Sequence, residues 1–266
     1  MIDIEGFRNY LYEEEMAKNT IEAYVRGIKQ YSKLYQTVTK PNVINFKQFL
    51  VEHYKPQTVN LRLTSILTYC KYKGIEIKIK HIKEPKKTYI ENVISKEQYE
   101  KLINGLKSDN NYRWYYHILL LAKTGARISE AVRITKKDII TGNVTMHTKA
   151  HMRTIYFPKS LQDELADYIA SMKDDDFIMQ NSKGKSITPR GVSGKLFEFA
   201  DKYGIPKENM HPHSFRHFFA IEFLKRNSNI ALLADLLGHG SVNVTQLYLR
   251  QSQQEQRKAI DDAVNW

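Results

Sequence analysis

A strongly apolar stretch at residues 114–122 constrains the fold of this chain more than any other segment. It leads directly into Thr124 and Gly125, and glycine is the residue that most often ends a helix in a left-handed conformation. A helix that is apolar on all sides has to be buried in a core. We therefore expect a buried helix that ends near Gly125, and we expect Arg127 to begin the next helix.

The first quarter of the chain has the apolar spacing of short helices. Within residues 4–74, apolar side chains such as Phe7 and Leu11 recur at steps of three and four residues. Thr20 and Thr58 are expected to cap two of these helices, because a threonine hydroxyl can accept a hydrogen bond from a free amide of the first turn. This pattern predicts a helical N-terminal domain.

A basic segment separates this region from the rest of the chain. Residues 78–87 alternate basic and apolar side chains and include Pro85, and no helical spacing continues through them. We interpret the segment as an interdomain linker, with a solvated edge strand as the alternative. Ser95, followed three residues later by Gln98, is the capping-box signature of a new helix. The expected division has three parts: a domain at residues 1–84, a linker at 85–94 and a domain at 95–266.

The apolar period changes to two inside the second domain. Around Gly142 and Asn143 the pattern becomes that of a strand, with Val144 and Met146 on one side, and residues 153–158 can return as a partner strand. The expected fold class is therefore mainly α with a small β-hairpin, arranged as two domains.

The composition favours a polyanionic partner. The chain has 266 residues, with 41 Lys and Arg against 29 Asp and Glu, a formal net charge of +12 and a pI near 9.5. Such a surplus can neutralise phosphates, although a merely basic protein has the same composition. The single Cys70 fits a reducing cytoplasm. Neither a secretory signal nor an apolar run long enough for a membrane span is recognisable, so we expect a cytoplasmic protein without a membrane partner.

Four short motifs in the second half of the chain carry residues for one kind of chemistry. They are residues 124–127, which end in Arg127; residues 213–216, from His213 to Arg216; residues 237–239, which end in His239; and Tyr248, nine residues further on. Guanidinium groups bind phosphate oxygens, imidazoles move protons near neutral pH, and a phenolic oxygen can attack covalently. In a basic chain these motifs predict cleavage and rejoining of DNA strands.

On these motifs, residues 95–250 resemble the catalytic domain of the tyrosine recombinase family, which includes phage integrases and Xer-like enzymes. Residues 1–84 resemble the helical, SAM-like core-binding domain of that family. The resemblance implies transesterification without a cofactor or a metal. In that reaction a tyrosine attacks a scissile phosphate, forms a 3′-phosphotyrosyl link and releases a 5′-hydroxyl.

The resemblance also gives roles to individual residues. Arg127 and Arg216 are the expected phosphate clamps, and Tyr248 is the expected nucleophile. His213 is expected to take the proton of the tyrosine, and His239 to donate a hydrogen bond to the phosphate.

Two further residues match positions of the family. Glu130, three residues after Arg127, is expected to orient its neighbours. Lys149, at the predicted hairpin turn, is the expected general acid for the 5′-oxygen, although the glycine that usually adjoins this lysine is absent. Lys136 and Lys137 are its competitors, but they precede the hairpin and are better interpreted as solvated.

Basic residues outside the motifs are expected to contact the DNA backbone. The helix near Thr58 carries Arg62, Lys71 and Lys73, so that one face is expected to follow the phosphates. The full set of expected contacts comprises Arg26, Arg62, Lys71, Lys73, Lys78, Lys80, Lys83, Lys86 and Lys87.

The resemblance implies double-stranded DNA held between the two domains and a tetramer assembled on two duplexes. An accessory protein or a second recombinase is a further partner of such systems. The tail at residues 251–266 has Ala259, Ile260, Ala263 and Val264 on one helical stripe, which can dock on a neighbouring subunit or on its own domain. Chromosome-dimer resolution and the integration or excision of a mobile element both fit the sequence.

Three alternative functions share parts of this pattern. His213 and His217 have the spacing of two zinc ligands on a helix, but the glutamate of a zinc protease motif is absent and Arg216 would place a positive charge beside the metal. A type IB topoisomerase would use the same residues on one duplex. A DNA-binding regulator with a decayed active site is disfavoured by the complete set of motif residues.

Overall fold

The computed structural model describes residues 2–84, 90–147, 152–238, 245, 247–249 and 260–264. The chain divides into two compact units, Met1–Lys86 and Lys87–Trp266. Each unit has its own buried apolar core. Within the described ranges, no helix is both long and apolar enough to span a membrane.

The first unit is a bundle of four helices. Their buried side chains, among them Phe7, Ile28 and Leu63, form one core. The helices are α1 (Ile4–Glu13), α2 (Lys18–Ser32), α3 (Lys40–His53) and α4 (Pro56–Tyr72). The helical domain predicted from the apolar spacing is thus observed in this part of the chain.

The two predicted threonine caps are wrong. Helix α2 begins three residues earlier than expected, because the amides of Thr20 and Ile21 both donate to the carbonyl of Ala17. Helix α4 begins at Pro56, whose fixed φ and missing N–H suit the first helical position. Thr58 therefore lies inside the first turn.

An extended segment, residues 75–84, lies against the first unit. Its isoleucines, including Ile79 and Ile82, pack on the core while the lysines between them are exposed. The side-chain amide of Asn60 donates to the carbonyl of Ile82 at 3.1 Å, and its oxygen accepts from the amide of Ile82 at 3.0 Å. Residues 78–84, interpreted from sequence as part of a linker, are thus held on the bundle.

The second unit is built around one buried helix. Helix α6 (Tyr112–Thr124) buries most of its side chains and packs against α5, α9 and α11. Its helices up to residue 238, within the described residues, are α5 (Lys96–Ser108), α6, α7 (Ile128–Ala131), α8 (Lys136–Thr141), α9 (Lys159–Ile169), α10 (Pro189–Tyr203), α11 (Pro212–Leu224) and α12 (Ile230–Leu237). Short 3₁₀ turns lie at Lys207–Asn209 and Leu247–Leu249.

Several predicted helix ends are confirmed. The side chain of Ser95 accepts from the amide of Gln98 at 3.2 Å, and the capping box is complete. Helix α6 ends at Gly125, which has a φ of +59°. Any other residue there would be strained, and its Cβ would lie 2.5 Å from the Phe219 ring.

The predicted hairpin is also present. Strands β1 (Asn143–His147) and β2 (Met152–Tyr156) pair antiparallel, with Met146 opposite Arg153. Along β2, Arg153 and Ile155 are buried while Met152 and Tyr156 are exposed, as strand alternation requires. The fold class predicted from the sequence, mainly helical with a small hairpin, is therefore confirmed.

The contact of α2 with α4 gives a test of this packing. A Cβ built on Gly27 would lie 2.5 Å from the Ser65 hydroxyl oxygen, which donates to the carbonyl of Tyr24. We expect Gly27→Ala to lower the free energy of unfolding by about 1–3 kcal/mol, the usual cost of overpacking. Chemical denaturation of the full chain, followed by circular dichroism, measures the change.

A glycine in an open helical position is the matched control. A Cβ on Gly194, in α10, would have no neighbour within 4 Å. Gly194→Ala should therefore raise the unfolding free energy by about 0.5–1 kcal/mol through helix propensity. A neutral or stabilising Gly27→Ala would contradict the close approach of α2 and α4.

Candidate active site

The first part of the site is the turn between α6 and α7. Arg127 lies just before α7, and its amide donates to a Glu130 carboxylate oxygen at 2.7 Å. Its guanidinium donates to the other oxygen of Glu130 at 3.2 Å. This side chain is 38% exposed, whereas that of Glu130 is only 6% exposed. The turn thus fixes a buried carboxylate beneath a partly accessible guanidinium.

Strand β2 brings a second guanidinium to the same carboxylate. Arg153 occupies the buried face of the hairpin and donates to Glu130 from Nε at 3.1 Å and from Nη2 at 2.6 Å. Both side chains are almost fully buried. Burial lowers the pKa of Arg153, and the charge of Glu130 opposes that shift. The pair joins the hairpin to the α6–α7 turn.

Three arginines meet at the end of helix α12. Arg153 donates to the carbonyl of Leu236 at 2.9 Å, Arg127 to that of Gly238 at 2.9 Å, and Arg216 to that of Leu237. Free carbonyls at a helix C-terminus carry partial negative charge, so cations stabilise them. The end of α12 is therefore fixed at the arginine cluster.

Gly238 allows this close contact. It ends α12 with a φ of +59°, and a Cβ at this position would lie 2.4 Å from Cδ of Arg153. Gly238 thus both ends α12 and leaves space for the Arg153 side chain.

Arg216 is the most deeply buried cation of the cluster. It is 2% exposed, and it also donates to the carbonyl of Gly125 at 2.8 Å. Burial, followed by the nearby charges of Arg153 and Arg127, lowers its pKa to about 9. In the described structure, the carboxylate of Glu130 binds Arg127 and Arg153, while Arg216 donates to backbone carbonyls. The cluster therefore keeps an excess of positive charge that a bound anion would neutralise.

Helix α11 carries the histidines of the site. Its N-cap is His211, whose Nδ1 accepts from the amide of Ser214 at 3.1 Å, and Pro212 fits the first helical position. His213 and His217 lie one turn apart with their ring centroids 4.7 Å from each other. Partial burial, and then the charge of Arg216, lower the pKa of His213.

Tyr248 lies beside these histidines. It belongs to the Leu247–Leu249 turn, which packs against α11, and its hydroxyl is 2.8 Å from Nδ1 of His217. Burial raises the pKa of Tyr248 to about 12, with an opposing effect of Arg216. The hydroxyl is thus protonated at neutral pH and already hydrogen bonded to an imidazole.

The structure brings together most of the residues singled out from the motifs. Arg127, Glu130, Arg216, His213 and Tyr248 lie in this one region of the second unit. Lys149, in the connection between the two strands, and His239 lie outside the described residues. Their predicted roles stay predictions.

Two residues of the cluster were not assigned to the site from sequence. Arg153 has a detectable signal, because a charged residue on the apolar side of a two-residue alternation needs a buried partner. For His217 the sequence pattern suggests only the role of a zinc ligand. Its helical spacing from His213 was visible, but its contact with Tyr248 joins positions 31 residues apart.

The expected DNA contacts of the first unit are arranged differently from the prediction. Nine residues separate Arg62 from Lys71, about two and a half helical turns, so the two side chains leave α4 on opposite sides. Arg62 and Lys71 therefore do not share one face of α4, and their contacts with DNA stay predictions. Arg62 donates to the carbonyl of Ala23 at 3.1 Å and is half-buried.

The remaining basic residues are mostly at the surface. Lys71 pairs with Glu14 at 3.5 Å and Lys73 with Asp3 at 2.9 Å. The exposed residues of the set are Arg26, Lys71, Lys73, Lys78, Lys80 and Lys83. Lys86 and Lys87 lie outside the described residues.

No metal centre is recognisable in the parts of the chain that the structure describes, since no group of three or more histidine, cysteine or acidic side chains converges there. An excess of guanidinium charge beside a hydrogen-bonded tyrosine is what an enzyme needs to transfer a phosphoryl group to a phenolic oxygen. The geometry therefore defines an enzyme that transfers a phosphoryl group to a tyrosine.

Comparison with known proteins gives the family. Residues 92–255 match the phage integrase family. The tyrosine recombinase XerA of Pyrococcus furiosus is 30% identical, and the match covers 98% of this chain and 93% of that protein. The tyrosine recombinase XerC of Staphylococcus aureus is 27% identical, over 97% of this chain and 95% of the relative.

Solved structures have the same fold. A lambda integrase dimer bound to a core site aligns with a TM-score of 0.75 at 14% identity, over 93% of this chain and 76% of that one. The Tn1549 transposon integrase in complex with transposon right-end DNA gives 0.73 at 16% identity, with both chains fully covered. The chain belongs to the phage integrase family and is a Xer-like tyrosine recombinase, a site-specific enzyme that cleaves and rejoins DNA.

The buried pair of Arg153 and Glu130 can be tested by its contribution to stability. Arg153→Met removes three hydrogen bonds and leaves Glu130 buried with one cation fewer. We expect the free energy of unfolding to fall by about 3–5 kcal/mol, as when one partner of a buried ion pair is lost. Chemical denaturation measures the loss.

An exposed ion pair is the control. Lys159 and Asp163 pair at 2.8 Å with both side chains exposed, so Lys159→Met should cost less than about 1 kcal/mol. If Arg153→Met cost no more than Lys159→Met, the hairpin would not be anchored through Glu130.

Proposed function

We propose that the chain cleaves double-stranded DNA by attack of the Tyr248 hydroxyl on a scissile phosphate held at the arginine cluster. The observation that carries this proposal is the position of Tyr248, which is hydrogen bonded to His217 and lies near the positive charge of Arg216. The attack forms a 3′-phosphotyrosyl bond and breaks the bond from phosphorus to the 5′-oxygen. A 5′-hydroxyl of a partner strand then reverses the step.

Arg127 and Arg216 are proposed to bind the nonbridging oxygens of this phosphate. Arg127 is the more accessible of the two, since its side chain is 38% exposed. Arg216 uses two of its five N–H groups for Gly125 and Leu237 in the described structure, and each terminal nitrogen carries a second hydrogen. A phosphate between the two would reduce the repulsion among the buried cations.

The roles of the other motif residues are proposed from the family resemblance and from their contacts with the arginine cluster. Glu130 orients Arg127 and Arg153 through the contacts described above. His213 lies close to Arg216 and Arg127, and the family resemblance gives it the role of accepting the proton of Tyr248. Lys149 is proposed as the acid that protonates the 5′-oxygen, and His239 as a further phosphate donor. No cofactor enters this scheme, because one phosphoester replaces another.

The DNA duplex is proposed to contact the exposed basic residues of the first unit. Arg26, Lys78, Lys80 and Lys83 project from the bundle and from the segment packed on it, with Lys86 and Lys87 next along the chain. Each phosphate that these residues neutralise releases counterions, so the affinity should fall steeply with salt. A location in the cytoplasm follows from a DNA substrate and a free, buried Cys70.

Recombination between two duplexes requires four protomers, and we propose that the tail links them. Residues 260–263 are helical, and Ile260 and Val264 are 61% and 52% exposed. Apolar side chains as exposed as these can be buried against a second copy. An accessory protein or a second recombinase would act on this same assembly.

The nucleophile is tested by Tyr248→Phe. On a nicked suicide substrate, the wild-type protein should form a protein–DNA band that survives denaturation. Tyr248→Phe should form no such band, because the attacking oxygen is lost. It should still bind DNA as well as the wild type does. Tyr112→Phe, at an exposed tyrosine in α6, is the matched control and should keep the band. A covalent band from Tyr248→Phe would refute the assignment.

The tail is tested by Ile260→Asp. A charge on this apolar stripe should prevent tetramer formation on two duplexes and leave single-site binding intact, as measured by mass photometry of the DNA complexes. Asp262→Ala, at an exposed neighbouring position, should still form tetramers. If Ile260→Asp assembled as the wild type does, the tail would not link protomers.

A further inference from the structure

His217 occupies a position that the motifs did not assign. Its Nδ1 lies 2.8 Å from the hydroxyl oxygen of Tyr248, and the two rings lie 5.5 Å apart. His217 is half-buried in α11, directly after Arg216. The hydroxyl proposed as nucleophile is therefore in hydrogen-bond contact with an imidazole, a group that can accept a proton.

A phenol needs such a partner for attack on phosphorus. Burial raises the pKa of Tyr248 to about 12, so nearly all of the hydroxyl is protonated at neutral pH. A neutral imidazole with its hydrogen on Nε2 presents a lone pair at Nδ1, which accepts the hydrogen bond from the phenol. The distance is within the range required of a general base.

We propose that His217 is a catalytic residue that accepts the phenolic proton of Tyr248 when this oxygen attacks the scissile phosphate. This inference rests on the proposed function of Tyr248 as nucleophile. It moves the role of proton acceptor, which the sequence assigned to His213, one helical turn along α11.

The proton transfer is balanced in both directions. As the bond from the Tyr248 oxygen to phosphorus forms, the proton passes to Nδ1 of His217, which becomes an imidazolium. The bond from phosphorus to the 5′-oxygen breaks, and this oxygen takes a proton from the general acid. During rejoining, the imidazolium returns its proton to the departing phenolic oxygen.

The surroundings separate the two histidines. Among the described residues, the charges acting on His213 are those of Arg216, His211 and Arg127, which places His213 on the side of the arginine cluster. His217 lies one turn further along α11, where its ring contacts both the Tyr248 hydroxyl and the ring of His213. A hydrogen bond from His213 to the phosphate is compatible with proton acceptance by His217.

The experiment is the rate of covalent adduct formation in single turnover, measured from pH 5 to 9 on a nicked suicide substrate. The wild-type rate should fall about tenfold per pH unit below the titration of the imidazole, because only neutral His217 accepts a proton. His217→Gln should react about 10²–10⁴ times more slowly and lose this acidic limb. His213→Gln should keep the limb, and His53→Gln, at an exposed histidine of α3, should behave as the wild type.

A substrate with sulfur in place of the bridging 5′-oxygen separates base from acid. A thiolate leaves without a proton, so this substrate restores variants that lack the general acid. The defect of His217→Gln should persist on it. Should His217→Gln not fold, His217→Ala is assayed with added imidazole, and the rate should rise with its concentration.

Three results would overturn the role of His217. They are an acidic limb retained in His217→Gln, full recovery of this variant on the sulfur substrate, and no effect of imidazole on His217→Ala. Loss of the limb in His213→Gln alone would return the role to His213. Failure of the wild type to form any adduct would instead refute the proposed nucleophile.

Discussion

The buried carboxylate of Glu130 is the interaction on which the rest of the site depends. It accepts from the amide and guanidinium of Arg127 and from the guanidinium of Arg153. These arginines, together with Arg216, then bind the last carbonyls of α12. One acidic side chain thus connects the α6–α7 turn, the hairpin and the end of α12, which are far apart in sequence.

The proposed binding of a phosphodiester depends on the same arrangement. Cations held by backbone carbonyls keep their positions without a ligand, so little reorganisation is needed when an anion binds. Burial is the main cause of the lowered pKa of Arg216, and the charges of Arg153 and Arg127, which Glu130 neutralises only in part, lower it further. Tyr248 lies at the border of this cluster, where Arg216 favours its anionic form and His217 holds its hydroxyl.

The sequence predicted those parts of the structure that depend on local chemistry. Gly125, the Ser95 capping box and the hairpin were recognisable because left-handed glycine, reciprocal capping and a two-residue period act within a few positions. The predicted caps at Thr20 and Thr58 were wrong because both helices begin earlier, α2 directly after Ala17 and α4 at Pro56. The contacts of Arg153 and His217 join distant positions, and no local pattern specifies such a pairing.

The most direct test of the central claim is a crystal structure of the wild-type protein trapped on a suicide DNA substrate. The account predicts a covalent bond from phosphorus to the Tyr248 hydroxyl oxygen, with the nonbridging oxygens within hydrogen-bond distance of Arg127 and Arg216. Glu130 should still bind Arg127 and Arg153 in that complex. A phosphate joined to another residue, or one bound away from this arginine cluster, would contradict the account.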